Sequence, residues 1–221
     1  MLEKAQENLL KSYNMKLKIC GMKYHDNILE VSQLLPDYMG FIFWEKSSRF
    51  FDGELPELPQ SIQKVGVFVD ASLEEILSKI ENYDLNVVQL HGNETVAFCE
   101  SLKNKKVKII KVFSVNDDFD FSILEPFETF CDYFLFDTKG KLPGGNGIVF
   151  DWKVLEKYPS TKPFFLSGGI SIEEIASVKQ LLKTDLPIHA IDINSKFEIE
   201  PGLKNIQLLK DFKININELS R

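Results

Sequence analysis

Eight short apolar runs in this 221-residue chain each end on residues that can do chemistry. In chain order those ends carry Cys20-Gly21, Lys46-Ser47-Ser48-Arg49, Asp70, His91-Gly92, Lys111, Asp137, Ser167-Gly168-Gly169 and Asp192-Ile193-Asn194-Ser195. A thiol acts as base or nucleophile only as thiolate, which a nearby cation favours. Lys18 sits two residues before Cys20, on the same face of an extended segment, with Leu17 and Ile19 on the other. The spacing predicts that Lys18 biases Cys20 toward thiolate, against the alternative of a buried small hydrophobe. Asp137 follows Tyr133-Phe134-Leu135-Phe136; a carboxyl partly desolvated there has its pKa raised and can hold a proton as general acid. Arg49 offers a fork for a carboxylate or is a solvated surface arginine. His91 donates to a ligand or satisfies a loop carbonyl. Asp70 and Asp151 read as caps. The two glycine-and-hydroxyl loops, Gly168-Gly169 and Asn194-Ser195, let backbone N–H groups approach an anion, and a helix opening after the first adds its positive dipole end.

These residues need elements that bring them together. The runs are 16–20, 38–43, 65–69, 86–90, 107–112, 133–137, 163–167 and 188–193, about 20–30 residues apart. That interval accommodates a crossover helix between parallel strands, and several runs are apolar throughout, as strands covered on both faces are. Ser72 with Glu75 and Ser171 with Glu174 have the spacing of capping boxes ahead of helical periodicity. Segments 94–102 and 203–212 are also helical in pattern. In 119–130, Pro126 interrupts any helix. Eight such units predict one (β/α)8 TIM barrel over residues 1–221, with residues 1–14 a short N-terminal extension. An open doubly wound sheet competes less well, since no GxGxxG follows the first run. In a barrel the strand C-termini share one mouth, so the residues above converge there, and barrels often bind phosphate between the last two loops.

Composition limits the partners. The 26 Lys+Arg and 33 Asp+Glu give a net charge of −7, which argues against nucleic acid or an anionic membrane and leaves room for a small anionic molecule. No apolar run approaches the roughly 18 residues of a membrane span, and residues 1–14 lack the apolar stretch of a signal peptide. The three cysteines have no zinc spacing; Cys99 and Cys131 read as buried thiols of a reduced, cytoplasmic protein.

The strand ends KICGMK, GFIFWEKSSRF, VGVFVD, VVQLHGNE, FDTKGKLPGGNGIVFDW, FFLSGGIS and IDINSKFEIEPGLKN together resemble the phosphoribosylanthranilate isomerase family over residues 15–212. The resemblance implies a ribulose-phosphate-binding type of barrel; the exposed helix faces of such a barrel leave monomer and homodimer both open. It implies an Amadori rearrangement without metal or cofactor, converting N-(5-phosphoribosyl)anthranilate to 1-(2-carboxyphenylamino)-1-deoxyribulose 5-phosphate in tryptophan biosynthesis. It makes Cys20 the general base and Asp137 the general acid, with Arg49 on the anthranilate carboxylate and His91 and Asp192 lining the site. Gly168, Gly169, Asn194 and Ser195 become the phosphate grip, and Pro143–Gly147 a mobile cover. One position departs from the family pattern. Lys196 stands where a glycine is usual, and lysine tolerates positive φ poorly, so the turn differs or never required that conformation. Two other readings compete: a Schiff-base aldolase using Lys111, and a phosphate-ligand-binding barrel without catalysis.

Overall fold

Alternation along eight parallel strands divides the protein into two concentric layers, except where a register shift beside Phe165 leaves His189 and Ala190 both on the inside. In the computed structural model, which describes residues 15–138 and 152–217, the strands are β1 Lys16–Ile19, β2 Tyr38–Ile42, β3 Gln63–Phe68, β4 Val87–Leu90, β5 Lys108–Val115, β6 Tyr133–Thr138, β7 Phe164–Leu166 and β8 Ile188–Ile193. They close in sequence order, β8 pairing back onto β1 with Lys18 opposite Asp192. Cys20, Tyr38, Val65, Val67, Val87, Ile110, Val112, Leu135, Phe165 and Ala190 pack together inside the barrel. Their neighbours Leu17, Ile19, Met39, Phe41, Phe68, Val88, Phe134 and Phe136 pack outward in a larger core under the helices. The expected split of Lys18 and Cys20 from Leu17 and Ile19 is therefore borne out, as is the eight-stranded barrel. The extension 1–14, the segment Pro143–Gly147 and Asp151 lie outside the described residues.

The covering helices are α1 His25–Ser32, α2 Leu73–Tyr83, α3 Val96–Leu102, α4 Ile175–Leu181 and α5 Ile206–Asn217. Ser72 caps α2 as its spacing predicts, accepting from the Glu75 N–H at 3.1 Å. This satisfies one of the four donors that a helix start leaves free. Segment 119–130 supplies only a 3-10 helix, Phe121–Phe127, containing Pro126. Two expectations fail. Helix α4 begins at Ile175, and Ser171 Oγ donates to the Glu173 carboxylate at 2.5 Å instead of capping. Leu203 and Lys204 form strand β10, antiparallel to β9 Glu198–Glu200, before α5 begins. Pro201-Gly202 makes the turn between them, a pair that neither strand nor helix accommodates well.

Candidate active site

The inward-facing residues just above the barrel core are Cys20, His91, Asp137 and Asp192, from β1, β4, β6 and β8 or the residue after them. All but His91 are buried. Lys18 is wholly enclosed and donates to Asp192 Oδ1 at 2.8 Å, a partner without which a buried ammonium would be very costly. Burial pushes the Cys20 thiol above its ordinary value; the Lys18 charge pulls it back toward ionisation without prevailing, and Asp192 adds to the rise. The predicted bias of Lys18 is thus present in direction and insufficient alone. Burial likewise pushes the Asp192 carboxyl up against the pull of Lys18, and the nearby Asp137 charge adds to the rise while His91 opposes it. His91 Nε2 lies 3.5 Å from Asp137 Oδ2, with its Nδ1 3.4 Å from the Gln89 amide nitrogen. Nothing in the sequence links His91 with Asp137; β4 and β6 bring them together. Gln89 Oε1 is buried without a hydrogen-bond partner among the described residues.

Room around the thiol is made by glycine. A Cβ on Gly40, the β2 neighbour, would stand 2.7 Å from Cys20 Sγ. Gly21 has φ +76°, and a Cβ there would stand 2.6 Å from Asn194 Oδ1 and 2.8 Å from Arg49 Cδ. Those two contacts place Arg49, from the loop after β2, beside Asn194, which follows β8. Arg49 is held as a fork: Nε donates to both oxygens of Glu198 at 2.9 and 3.0 Å, and Nη2 to Oε2 at 2.7 Å. Glu198 was not singled out in the sequence, nor was Lys204. The signal was there: in Glu198-Ile199-Glu200-Pro201-Gly202-Leu203-Lys204 a Pro-Gly turn reverses the chain and sets the first residue opposite the last.

On the phosphate side, Gly168 and Gly169 both have positive φ, +92° and +69°. The helix expected to open there starts seven residues beyond Gly168, so no helix terminus directly follows the two glycines. Asn194 and Ser195 lead into a 3-10 turn, Ser195–Phe197. Lys196 sits exposed within it and is absent from the positive-φ residues; the turn at this position never required glycine.

Asp70 and Lys111 prove structural. Asp70, at φ +51°, accepts from the Asn93 N–H at 2.6 Å. Lys111 shares its outward parity with Ile109 and Phe113 and does not face the mouth, correcting its placement there. Its ammonium donates to Glu94 Oε2 at 2.9 Å and Gly92 O at 2.8 Å. Glu94 also accepts from the N–H groups of Asp70 and Gly92. This internal ion pair fastens the loops after β3 and β4 and leaves no free amine for a Schiff base. Cys99 and Cys131 are buried free thiols, as expected. Among the described residues no group of three His, Cys, Asp or Glu is arranged to hold a metal ion, and no helix is long and apolar enough to cross a membrane.

Comparison with known proteins converges on one family. The family model described as N-(5'phosphoribosyl)anthranilate (PRA) isomerase matches residues 17–215. N-(5'-phosphoribosyl)anthranilate isomerase of Parabacteroides distasonis is 42% identical over 205 residues, covering 90% of this chain and 91% of its own. Among solved structures, phosphoribosyl anthranilate isomerase from Thermus thermophilus superposes with TM-score 0.80 at 26% identity, covering 93% of this chain and all of its own. A second phosphoribosyl anthranilate isomerase, solved with reduced 1-(o-carboxyphenylamino)-1-deoxyribulose 5-phosphate, gives 0.77 at 28%, with 92% and 99% coverage.

Proposed function

The chain belongs to the N-(5'-phosphoribosyl)anthranilate isomerase family, and we propose that Cys20 and Asp137 are the base and acid of its reaction. That reaction is the family's isomerisation in tryptophan biosynthesis. The observation that carries the assignment is the convergence of inward-facing Cys20 and Asp137, from β1 and β6, on the same Lys18–Asp192 pair.

Asp137 gives its proton to the furanose ring oxygen; the C1′–O bond breaks and the ring opens to an iminium. The cationic nitrogen acidifies the C2′ proton. It also brings a second positive charge beside Lys18 to a thiol that burial otherwise keeps protonated, which favours thiolate where the base is needed. The Cys20 thiolate removes the C2′ proton, and the resulting enolamine tautomerises to the ketone. Arg49 takes the anthranilate carboxylate through the guanidinium edge that Glu198 leaves open. Asn194, Ser195 and the N–H groups of Gly168 and Gly169 take the phosphate. His91, 3.5 Å from Asp137, steadies the carboxylate after it has given up its proton, and Asp192 holds Lys18 toward the thiol. None of these steps asks for a cofactor. The ligand is thus a small phosphorylated molecule, bound by a cytoplasmic monomer or homodimer; native mass measurement distinguishes the two assemblies.

The test is turnover of freshly made phosphoribosylanthranilate, followed by fluorescence, in Cys20→Ala and Asp137→Asn. Each variant is expected to lose roughly 10²–10⁴ in kcat with an unchanged circular dichroism spectrum. Near-normal turnover in either refutes its role. Intact turnover with altered affinity alone would favour the non-catalytic binding barrel.

A further inference from the structure

The chemistry above leaves Lys204 unused, although its side chain is fully enclosed against the mouth. An ammonium has three donors and no acceptor. Lys204 directs them to Glu198 Oε1 at 2.7 Å, Asn194 Oδ1 at 2.7 Å and Asn194 O at 3.3 Å. Glu198 is saturated in turn, accepting the Arg49 fork and the Gly202 N–H at 3.1 Å. Two orientations follow from donor and acceptor chemistry alone. Because Lys204 can only donate, the Asn194 amide must turn its oxygen toward it and its NH₂ away. Because Nε and one Nη2 hydrogen of Arg49 are spent on Glu198, the fork presents Nη1 and the remaining Nη2 hydrogen outward as a planar edge.

We infer that Lys204 is a positioning residue for the ligand: through Glu198 it aims the outer edge of Arg49, and through Asn194 it aims the amide NH₂ that stands beside that edge. Arg49 and Asn194 come from the loops after β2 and β8, 145 residues apart in sequence, and one buried ammonium ties them together. Gly21 closes the arrangement, since any Cβ there would collide with both Asn194 and Arg49. Antiparallel pairing of β9 with β10 sets Lys204 opposite Glu198, so the strut is built into the backbone and does not depend on a flexible reach. The inference rests on Arg49 meeting the ligand's carboxylate.

The experiment compares binding of two ligands to the full-length enzyme by calorimetry. One is reduced 1-(o-carboxyphenylamino)-1-deoxyribulose 5-phosphate; the other is the same compound built on aniline, lacking the carboxylate. Wild type is expected to prefer the first. Lys204→Met and Glu198→Gln are each expected to cut that preference roughly tenfold or more, as displacement of a positioned group by a fraction of an ångström does, and Arg49→Lys to cut it similarly. KM is expected to rise more than kcat falls in the first two. A merely structural lysine would weaken both ligands equally, and that outcome overturns the inference. If Arg49→Lys loses the preference while Lys204→Met and Glu198→Gln keep it, the inference falls and the role of Arg49 stands. If Arg49→Lys keeps the preference, the carboxylate role of Arg49 falls and takes the inference with it. Should Lys204→Met fail to fold, Glu198→Gln decides on the same criteria.

Discussion

The two ends of the barrel interior bury polar groups by opposite means. At the base, Tyr38, Tyr133, Phe165 and His189 form an aromatic plug. The Tyr38 hydroxyl meets His189 Nε2 at 2.8 Å, Tyr133 lies over the imidazole at 4.4 Å between ring centroids, and Phe165 packs edge-on against both tyrosines. Burial pushes His189 down to about 4, helped by the charge of Lys16, so the plug is neutral at physiological pH. At the mouth, ion pairs take the place of rings. Lys18–Asp192 and Arg49–Glu198–Lys204 set charged groups directly against one another. Burying ion pairs gains little over packing apolar groups of the same volume. The mouth therefore spends stability on orientation, while the base recovers it through packing.

Separating the partners of Lys18–Asp192 should give the largest effect. Asp192→Asn leaves a wholly enclosed ammonium without its counter-charge and is expected to cost about 3–5 kcal/mol, measured by urea unfolding; the double variant Lys18→Met/Asp192→Leu should recover most of that while losing activity. Equal losses in the single and double variants would show that the pair is not coupled. Next comes Gly21→Ala. Forcing a Cβ into φ +76° costs about 1–2 kcal/mol, and displacing Arg49 and Asn194 should also weaken binding of the reduced product analogue, a combination visible as lowered Tm with raised Kd. At the base, Tyr38→Phe removes one neutral hydrogen bond and should cost about 1 kcal/mol with kcat unchanged. A fall in kcat there would erase the proposed division between the two ends.

The base also carries a pH dependence. The folded His189 titrates near 4, below the ordinary value of 6.5, so between those values the unfolded chain binds more protons than the folded one. Stability from this group is complete above pH 6.5 and lost as pH falls toward 4. Thermal melts across that range should show a component of the decline that His189→Phe lacks; an identical slope in both would mean the imidazole is already charged in the folded protein.

Much of the scaffold was legible because parallel strands covered on both faces leave unbroken apolar runs, and because alternation alone separates Lys18 and Cys20 from Leu17 and Ile19. Ser72 announced its helix through a purely local contact. Ser171 has the same spacing and does not cap, since Glu173 takes its hydroxyl; a four-residue pattern cannot tell which carboxylate will compete. Lys111 was misplaced by reading only its position at a strand end, whereas Ile109 and Phe113 on its own face mark it as outward. Catalytic candidates stood out at strand ends, but what orients them did not. Glu198 and Lys204 become visible only once Pro201-Gly202 is read as a hairpin and that hairpin is laid against Arg49, a contact 149 residues distant.

A crystal structure with reduced 1-(o-carboxyphenylamino)-1-deoxyribulose 5-phosphate bound addresses the shared cavity most directly. Cys20 Sγ is expected in contact with C2′ from one wall. A carboxylate oxygen of Asp137, from the opposite wall, should lie within hydrogen-bond reach, about 2.6–3.2 Å, of the oxygen that closes the furanose ring in the substrate. A ligand seated with either side chain turned away from it, or with packed side chains between the two, would contradict the assignment.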